Sequence, residues 1–439
     1  MISKALVAVT VLSFSQLTFA GPFWNQLIKS SGYNPDNHAF CYTDSEGGIS
    51  GENIHKKSYL ASITKLVTSY AAVKSLGAAF KLTTKLYYNP ETKELHISGG
   101  KDPNYSKRKL FYLVNQLNNA GIEEVSKITF DDQFTAWAHS ENTGVAQRRP
   151  HEQSRSDVAK TLKAYLHTPE WELNKKAYTA FIGSSSRDWL DFLRMERNPE
   201  NLNLKIGQVE YSEKAPFDVK SNGVRSFNVL SPRIEDYLKY TNILSHNYFA
   251  DELFRTVGKN EVQRILSEFM NQNFPNYKET RVGFKDSEPT IMIHNGSGYP
   301  LSSPRRDNYA TCAIIVKMIE EMDQELITAG EEIQKLVAVT GVDAGTIRSR
   351  LRGEQFENKG VVKTGTTNPV SALAGMLSTK SGRRYFAIFN HRWAGLSSSP
   401  LRAFQNRVAR KLMSDFGGGE AFDYTPKSIY PVDELMSEQ

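Results

Sequence analysis

Cysteine is scarce in this chain of 439 residues, which contains only Cys41 and Cys312. Two cysteines exclude a disulfide-rich scaffold and any zinc or iron–sulfur module that needs several thiolates. The nine histidines include no pair at His-x-x-x-His spacing, so the sequence predicts no metal site, and we expect no cofactor. Spacing alone leaves open whether the two cysteines form a disulfide or remain as buried thiols.

Dense charge of one sign is also missing. The 54 basic and 48 acidic residues give a formal net charge of only +6, and no Lys/Arg block stands out. This pattern does not favour nucleic-acid binding. The 23 Phe and 20 Tyr provide ample apolar surface for a folded core, which argues against intrinsic disorder.

The most apolar run lies at the start of the chain. Lys4 precedes the apolar residues 5–14, and Thr18-Phe19-Ala20 places small residues just before Gly21. A basic residue, a short apolar run and a small-residue cleavage point predict a signal peptide over residues 1–20, cleaved near Ala20. The alternative is an uncleaved anchor, but the run is well short of the ~20 residues that a spanning helix needs. We therefore expect export and no stable membrane span.

Apolar periodicity predicts the secondary structure of the remaining chain. Helices are expected over residues 60–76, 109–120, 158–166, 188–195 and 402–416. Strands are expected over residues 82–89, 94–98 and 204–211, with a hairpin formed by 372–378 and 384–390. Ser231-Pro232 and Ser303-Pro304 are each predicted to begin a helix, because Ser is a good N-cap and Pro fits the first helical position.

These elements suggest helix-rich ends around a mixed middle segment. The simplest organisation is one domain, formed by residues 21–79 and 226–439, that is interrupted by an inserted domain over residues 80–225.

Ser62 and Lys65 form a Ser-x-x-Lys motif at the start of the first predicted helix. Residues i and i+3 share a helix face, so the Lys65 amine can lie beside the Ser62 hydroxyl. Serine needs such a base to become a nucleophile, and lysine can serve if burial lowers its pKa. The motif is common by chance, and Ser106 with Lys109 is a second match, which we interpret as a solvated turn.

Two further motifs strengthen the assignment. Lys363-Thr364-Gly365 follows an apolar segment, and Gly365 would let a ligand backbone come close. Ser245 and Asn247 form a Ser-x-Asn between two helical runs, while Ser140 and Asn142 form a competing match in the middle segment. Ser-x-x-Lys, Ser-x-Asn and Lys-Thr-Gly in this order are the signature of β-lactamases and penicillin-binding proteins. The separation between Ser62 and Ser245 is far too long for an ordinary β-lactamase.

With these motifs the chain resembles the low-molecular-mass class C penicillin-binding proteins (peptidase family S13). These are D-alanyl-D-alanine carboxypeptidases and endopeptidases with an insertion between the first two motifs. Three further segments carry the resemblance: Gly99-Gly100-Lys101-Asp102-Pro103, Asn295-Gly296-Ser297-Gly298, and Ala372-Leu373-Ala374-Gly375. The family's Asp is replaced by Asn295. The middle segment is too short for both inserted domains found in many members, so we expect the second to be absent, which would leave an open cleft.

The resemblance implies an α+β fold, in which a serine β-lactamase/DD-peptidase-like domain, an antiparallel sheet flanked by helices, carries a smaller inserted α/β domain. It implies that Ser62 is the acylating nucleophile, Lys65 the base and Ser245 part of the proton network. Asn247, Lys363, Thr364, Gly365 and Thr366 would bind substrate, and the backbone N–H groups of Ser62 and Thr366 would form the oxyanion hole.

The implied substrates are peptidoglycan stem peptides in the periplasm, and β-lactam antibiotics would be covalent inhibitors. Two alternatives stay open: a β-lactamase-like hydrolase of the same fold, and a murein-binding protein with a weak or inactive site.

Overall fold

The apolar segments form two large β-sheets and two small ones in the computed structural model, which describes residues 20–137, 154–275, 290–302, 305–391, 397–426 and 435–439. The strands are β1 His38–Thr43, β2 Ile49–Glu52, β3 Lys57–Tyr59, β4 Lys81–Asn89, β5 Glu94–Ser98, β6 Glu124–Phe130, β7 Lys205–Tyr211, β8 Arg225–Arg233, β9 Ile291–Met292, β10 Leu301–Ser302, β11 Arg305–Arg306, β12 Tyr309–Thr311, β13 Gly360–Thr367, β14 Val370–Thr379, β15 Gly382–His391 and β16 Ser437–Glu438. The two small sheets are β3-β12-β9 and β10-β11. The α-helices are α1 Ala20–Ser30, α2 Thr64–Leu76, α3 Lys107–Asn119, α4 Arg155–Leu166, α5 Glu172–Ser184, α6 Arg187–Phe192, α7 Ile234–Leu244, α8 Asn247–Val257, α9 Lys259–Asn273, α10 Cys312–Thr328 and α11 Ser398–Asp415.

The first sheet is antiparallel and has the strand order β13-β14-β15-β1-β2. Because side chains alternate along a strand, each strand supplies two faces. On β14, Ala372 and Ala374 join the core formed by α2 and α10, while Leu373 packs with Phe404 of α11 in a separate core. The sheet is therefore covered by helices on both faces, and the prediction of an α+β fold with an antiparallel sheet flanked by helices is confirmed.

The second sheet has the order β16-β8-β4-β5-β6-β7, with parallel pairing from β5 through β7 and antiparallel pairing elsewhere. Its core is built with α3, α4 and α5. Strand β8 extends past residue 225, where we expected the inserted domain to end, so this sheet includes residues that were assigned to the surrounding domain. The end of the chain also belongs to this sheet, since Ser437 pairs with Asn228 and Glu438 binds Arg225 at 2.6 Å.

The helix start expected at Ser231-Pro232 was predicted wrongly. Ser231 and Pro232 end β8, and the buried Ser231 Oγ accepts the Leu82 N–H at 2.8 Å, so Ser231 holds two strands together instead of capping a helix. Helix α7 begins after Arg233, whose N–H is capped by the Asp236 carboxylate at 3.2 Å. Ser303 and Pro304 lie outside the described residues, and α10 begins only at Cys312, after β11 and β12.

Cys41 and Cys312 form a disulfide with a Cα–Cα distance of 6.0 Å. The bond connects β1 to the first residue of α10, and both residues are fully buried. It joins segments 271 residues apart in the sequence and fixes α10 to the face of the first sheet.

Among the described residues, no helix has both the length and the apolar character needed to cross a bilayer. Residues 1–19, which hold nearly all of the predicted signal peptide, lie outside the described ranges.

We predict that replacing both cysteines by alanine lowers the free energy of unfolding by about 2–5 kcal/mol, because the cross-link restricts the unfolded chain over a long loop. Denaturant unfolding of the two proteins, with and without a reductant, measures the difference. The wild-type protein should lose stability in reductant, whereas the double variant should not respond. Equal stability of all samples would show that the bond contributes nothing.

Candidate active site

Ser62 lies in a 3₁₀ turn, Ala61–Ile63, that leads directly into α2. Ala61 has φ of +46°, a conformation that non-glycine residues rarely adopt and that is found at functional turns. Two glycines make room for this turn. A Cβ on Gly298 would lie 1.8 Å from the Ala61 carbonyl oxygen, and one on Gly365 would lie 2.9 Å from the Leu60 oxygen. Gly365 therefore accommodates the close approach of the chain's own backbone.

Lys65 lies one turn along α2 and is completely buried. Its Nζ donates hydrogen bonds to Ser62 Oγ at 3.2 Å, to Asn247 Oδ1 at 2.8 Å and to the Ser297 carbonyl at 2.8 Å. An ammonium has three donors, so these contacts satisfy all of them. The structure thus places the predicted base against the predicted nucleophile and against the Ser-x-Asn segment.

The surroundings of Lys65 favour its neutral form. Burial lowers the pKa of Lys65 to about 7, although the nearby Asp251 carboxylate opposes this shift. Lysine has an ordinary pKa near 10.4, so a neutral amine is a minor species on an exposed lysine. At neutral pH, Lys65 can accept a proton from Ser62.

Ser245 ends α7 in the left-handed region, with φ of +59°, and reaches the cleft from the opposite side. Its Oγ accepts a hydrogen bond from Lys363 Nζ at 3.0 Å, and Lys363 also donates to the Thr364 carbonyl at 2.9 Å. Burial, followed by repulsion from Lys65, holds the pKa of Lys363 well below its usual range. Each predicted lysine therefore contacts one predicted serine.

His246, between Ser245 and Asn247, is enclosed by aromatic rings. Trp137 and Phe249 lie edge-on at centroid distances of 5.6 and 4.9 Å, and the imidazole Nδ1 accepts the Phe249 N–H. Burial, followed by the proximity of Lys65, lowers the pKa of His246 to about 3. The histidine is neutral in the working pH range and serves as the N-cap of α8, which carries Asn247.

Two connected cavities surround Ser62. The larger, of about 400 Å³, is lined by Ser62, Leu244, Ser245, Asn247, Gly298, Tyr299, Pro300, Arg305, Thr346, Thr366, Thr367 and Asn368. The smaller, of about 290 Å³, is lined by Ser62, Ser245, Thr346, Ser349, Arg350, Thr364, Thr366 and Arg402. Thr364 and Thr366 are alternate residues of β13, an edge strand of the first sheet, so their side chains share one face.

Sequence motifs did not reveal Arg350 and Arg402, which line the smaller cavity. The buried Arg350 donates to Gln405 Oε1 at 2.7 Å and Asn406 Oδ1 at 3.0 Å, and among the described residues no carboxylate lies within 4.0 Å of its guanidinium. Burial, followed by repulsion from Arg402, lowers the pKa of Arg350 to about 10. A buried cation that pairs with none of the described carboxylates, in a cavity with two threonines, favours an anionic ligand.

The competing Ser-x-x-Lys is not the solvated turn that we predicted. Ser106 precedes α3 and Lys109 lies within that helix, and both are buried beside the second sheet. Lys109 Nζ donates to the Leu230 carbonyl at 3.3 Å and lies over the Tyr112 ring. Ser140 and Asn142, the competing Ser-x-Asn, lie outside the described residues. Within the described ranges, no three His, Cys, Asp or Glu side chains are arranged to hold a metal ion.

Comparison with solved structures finds the same fold in penicillin-binding enzymes. A predatory endopeptidase of Bdellovibrio bacteriovorus, solved with an immunity protein, is 25% identical, with a TM-score of 0.75 over 91% of this chain and 99% of that one. Its penicillin G-acylated form gives 25% identity and a TM-score of 0.71, with the same coverage of both chains. Penicillin binding protein 4 of Haemophilus influenzae shares the fold at 18% identity, with a TM-score of 0.57 over 88% of this chain and 98% of that one.

Sequence comparison points the same way. A penicillin-sensitive carboxypeptidase A of Dictyostelium discoideum is 24% identical over 178 residues, which are 40% of this chain and 32% of that protein. The match thus spans about a third of the curated relative. The model of the D-Ala-D-Ala carboxypeptidase 3 (S13) family matches residues 49–148 and 216–412, more than half of the chain. These segments contain Ser62, Ser245 and Lys363, and the chain therefore belongs to the D-Ala-D-Ala carboxypeptidase 3 (S13) family.

Proposed function

We propose that the protein is a penicillin-sensitive serine DD-peptidase that cleaves D-alanyl amide bonds of peptidoglycan stem peptides through an acyl-enzyme on Ser62. The observation that carries the proposal is the buried Lys65 amine, 3.2 Å from Ser62 Oγ at the wall of an open cleft. Ser62 and Lys65 are the nucleophile and base, and Ser245 is the third catalytic residue. The substrate-binding residues are Asn247, Lys363, Thr364, Gly365 and Thr366.

In the acylation step, Lys65 Nζ takes the Ser62 hydroxyl proton while Oγ bonds to the carbonyl carbon of the substrate. The carbonyl π electrons move to its oxygen, and we assign the Ser62 and Thr366 backbone N–H groups as donors to this oxyanion. The C–N bond then breaks, and Ser245 Oγ gives its proton to the leaving nitrogen. Lys363, hydrogen-bonded to Ser245, replaces that proton. Water then adds to the ester carbonyl and gives a proton to Ser62 Oγ as the C–O bond breaks, which releases the acid. The proton that Lys65 took passes to Lys363, so both lysines return to their starting states.

The leaving group carries a carboxylate, which the smaller cavity is suited to bind. Thr364 and Thr366 offer hydroxyls, and Arg350 offers a charged guanidinium that pairs with no carboxylate in the described part of the chain. Terminal D-Ala has this carboxylate, and so does the amine side of a stem-peptide cross-link.

The relatives include a carboxypeptidase and an endopeptidase, and we propose both activities for this chain. Mass spectrometry of murein after digestion measures loss of terminal D-Ala and loss of cross-linked dimers separately.

We further propose that the protein works in the periplasm after cleavage of a signal peptide. A substrate in the cell wall and the Cys41–Cys312 disulfide support an extracytoplasmic, oxidising location.

The division into a discontinuous catalytic domain and an inserted domain is likewise our proposal, supported by the separate apolar core of the second sheet. The absence of the family's second inserted domain stays a prediction.

Labelled penicillin should acylate the purified protein, and Ser62→Ala should abolish the label, because no other group would receive the acyl chain. Ser106→Ala is the matched control, since it changes the same residue type in the competing motif and should leave labelling intact. Labelling that survives Ser62→Ala but disappears with Ser106→Ala would overturn the assignment. Rapid release of hydrolysed penicillin would favour the β-lactamase-like alternative.

The acylation rate should rise with pH through about 7, because the Lys65 pKa is lowered to about 7 and only neutral Lys65 accepts the Ser62 proton. Stopped-flow acylation by a chromogenic β-lactam across the neutral range measures this dependence. A rate that falls as pH rises through this range would exclude Lys65 as the general base.

Arg350→Gln should lower kcat/KM for peptides ending in D-Ala by roughly 10–100-fold, the usual effect of losing a hydrogen bond to a charged group. The loss should be much smaller for the same peptide ending in a carboxamide. Arg348→Gln, two residues away on an exposed position, is the control and should preserve the preference for the carboxylate. Equal losses for both peptides in Arg350→Gln would mean that Arg350 does not bind the carboxylate.

A further inference from the structure

Asp251 is a buried carboxylate on α8 that lies behind the catalytic lysine. One of its oxygens, Oδ1, accepts the Ser297 N–H at 2.8 Å, and the carbonyl of the same Ser297 accepts from Lys65 Nζ at 2.8 Å. A single peptide segment thus connects the carboxylate to the amine. No motif in the sequence drew attention to Asp251.

The Asn295–Gly298 segment that joins the two groups is closely packed. Thr68 donates to the Gly296 carbonyl at 2.7 Å, and the Gly298 N–H donates to Asn295 Oδ1 at 2.8 Å. A Cβ on Gly296 would lie 2.1 Å from the Ala250 carbonyl oxygen, so the segment lies directly on α8. A displacement of Asp251 would therefore move the carbonyl that holds Lys65.

The charged and polar groups that face Lys65 come from three elements. Asp251 and the neutral His246 are on or beside α8, Lys363 is on β13, and the Ser297 carbonyl belongs to the loop. Burial raises the pKa of Asp251 to about 6, although the nearby Lys65 opposes this shift. At neutral pH Asp251 is therefore the anion among these groups, while Lys363 repels any positive charge on Lys65. Adjacent Glu252 is different, since its carboxylate binds Arg255 at 2.9 Å.

We propose that Asp251 is the positioning residue of Lys65: it holds the Ser297 loop and supplies the negative charge that stabilises the Lys65 ammonium formed when Ser62 is deprotonated. This inference rests on the proposed function. It extends the site beyond the three sequence motifs.

The sign of the expected effect follows from the charges. A nearby carboxylate favours the protonated form of a lysine, so removing that charge lowers the lysine pKa. Asp251→Asn keeps an oxygen able to accept the Ser297 N–H but removes the charge. The pH midpoint of acylation should move down by about 1 unit or more. The plateau rate should fall roughly 10-fold or more, because the ammonium formed during acylation loses its counter-ion.

The experiment compares chromogenic β-lactam acylation across the neutral pH range for wild type, Asp251→Asn, Asp251→Glu and Glu252→Gln. We expect the Asp251→Glu midpoint to stay near that of wild type, even if its plateau rate is lower, because the charge remains. Glu252→Gln, the same chemical change one residue along α8, should leave both midpoint and rate unchanged. Melting temperatures of all four proteins establish that each is folded.

An Asp251→Asn midpoint equal to that of wild type would overturn the inference, as would an equal shift in Glu252→Gln. A folded Asp251→Asn that loses rate without a midpoint shift would show a purely structural role. Failure of wild type to be acylated at Ser62 would instead reject the proposed function, so the two failures are distinguishable.

Discussion

The structure depends on burying two lysines within one small site. Lys65 and Lys363 are both completely inaccessible to solvent, and each contacts one of the two serines. Two buried ammonium groups repel each other, and burial penalises each charge, so the site resists having both protonated. This constraint produces the reactive amine. Burial also requires oxygen acceptors for the lysine donors: Lys65 has three and Lys363 has two, and these acceptors come from several separate elements.

The turn that carries Ser62 is also closely packed, because it must hold Ser62 beside the buried Lys65. The turn at Ala61–Ile63 must place Ser62 at the cleft while α2 carries Lys65 inward. The surrounding segments approach so closely that Gly298 and Gly365 have no room for a Cβ. A glycine in each of these two segments is thus required by the protein's own geometry.

The motif residues were predictable because each local pattern has a direct chemical meaning. Helical spacing places Lys65 beside Ser62, and alternation on β13 places Thr364 and Thr366 on one face. Arg350 and Asp251 were not predictable, because their roles come from burial and from neighbours distant in sequence, Gln405 for one and Ser297 for the other. The helix start predicted at Ser231-Pro232 failed for a related reason: the tertiary hydrogen bond from Leu82 to Ser231 outweighed a good local capping signal.

The second sheet contributes to the catalytic site as well as extending the molecule. Asp102, in the Gly99–Pro103 loop, accepts a hydrogen bond from the Tyr237 hydroxyl on α7, and Thr256 on α8 donates to the Lys101 carbonyl at 3.2 Å. Trp137 packs against His246, the residue between Ser245 and Asn247. Since Ser245 directly follows α7 and Asn247 begins α8, these contacts fix both helices that present the Ser-x-Asn residues. The positions of Ser245 and Asn247, which contact Lys363 and Lys65, therefore depend on residues that lie between the first and second motifs in the sequence. The geometry of the site is thus set by both sheets and not by the three motifs alone.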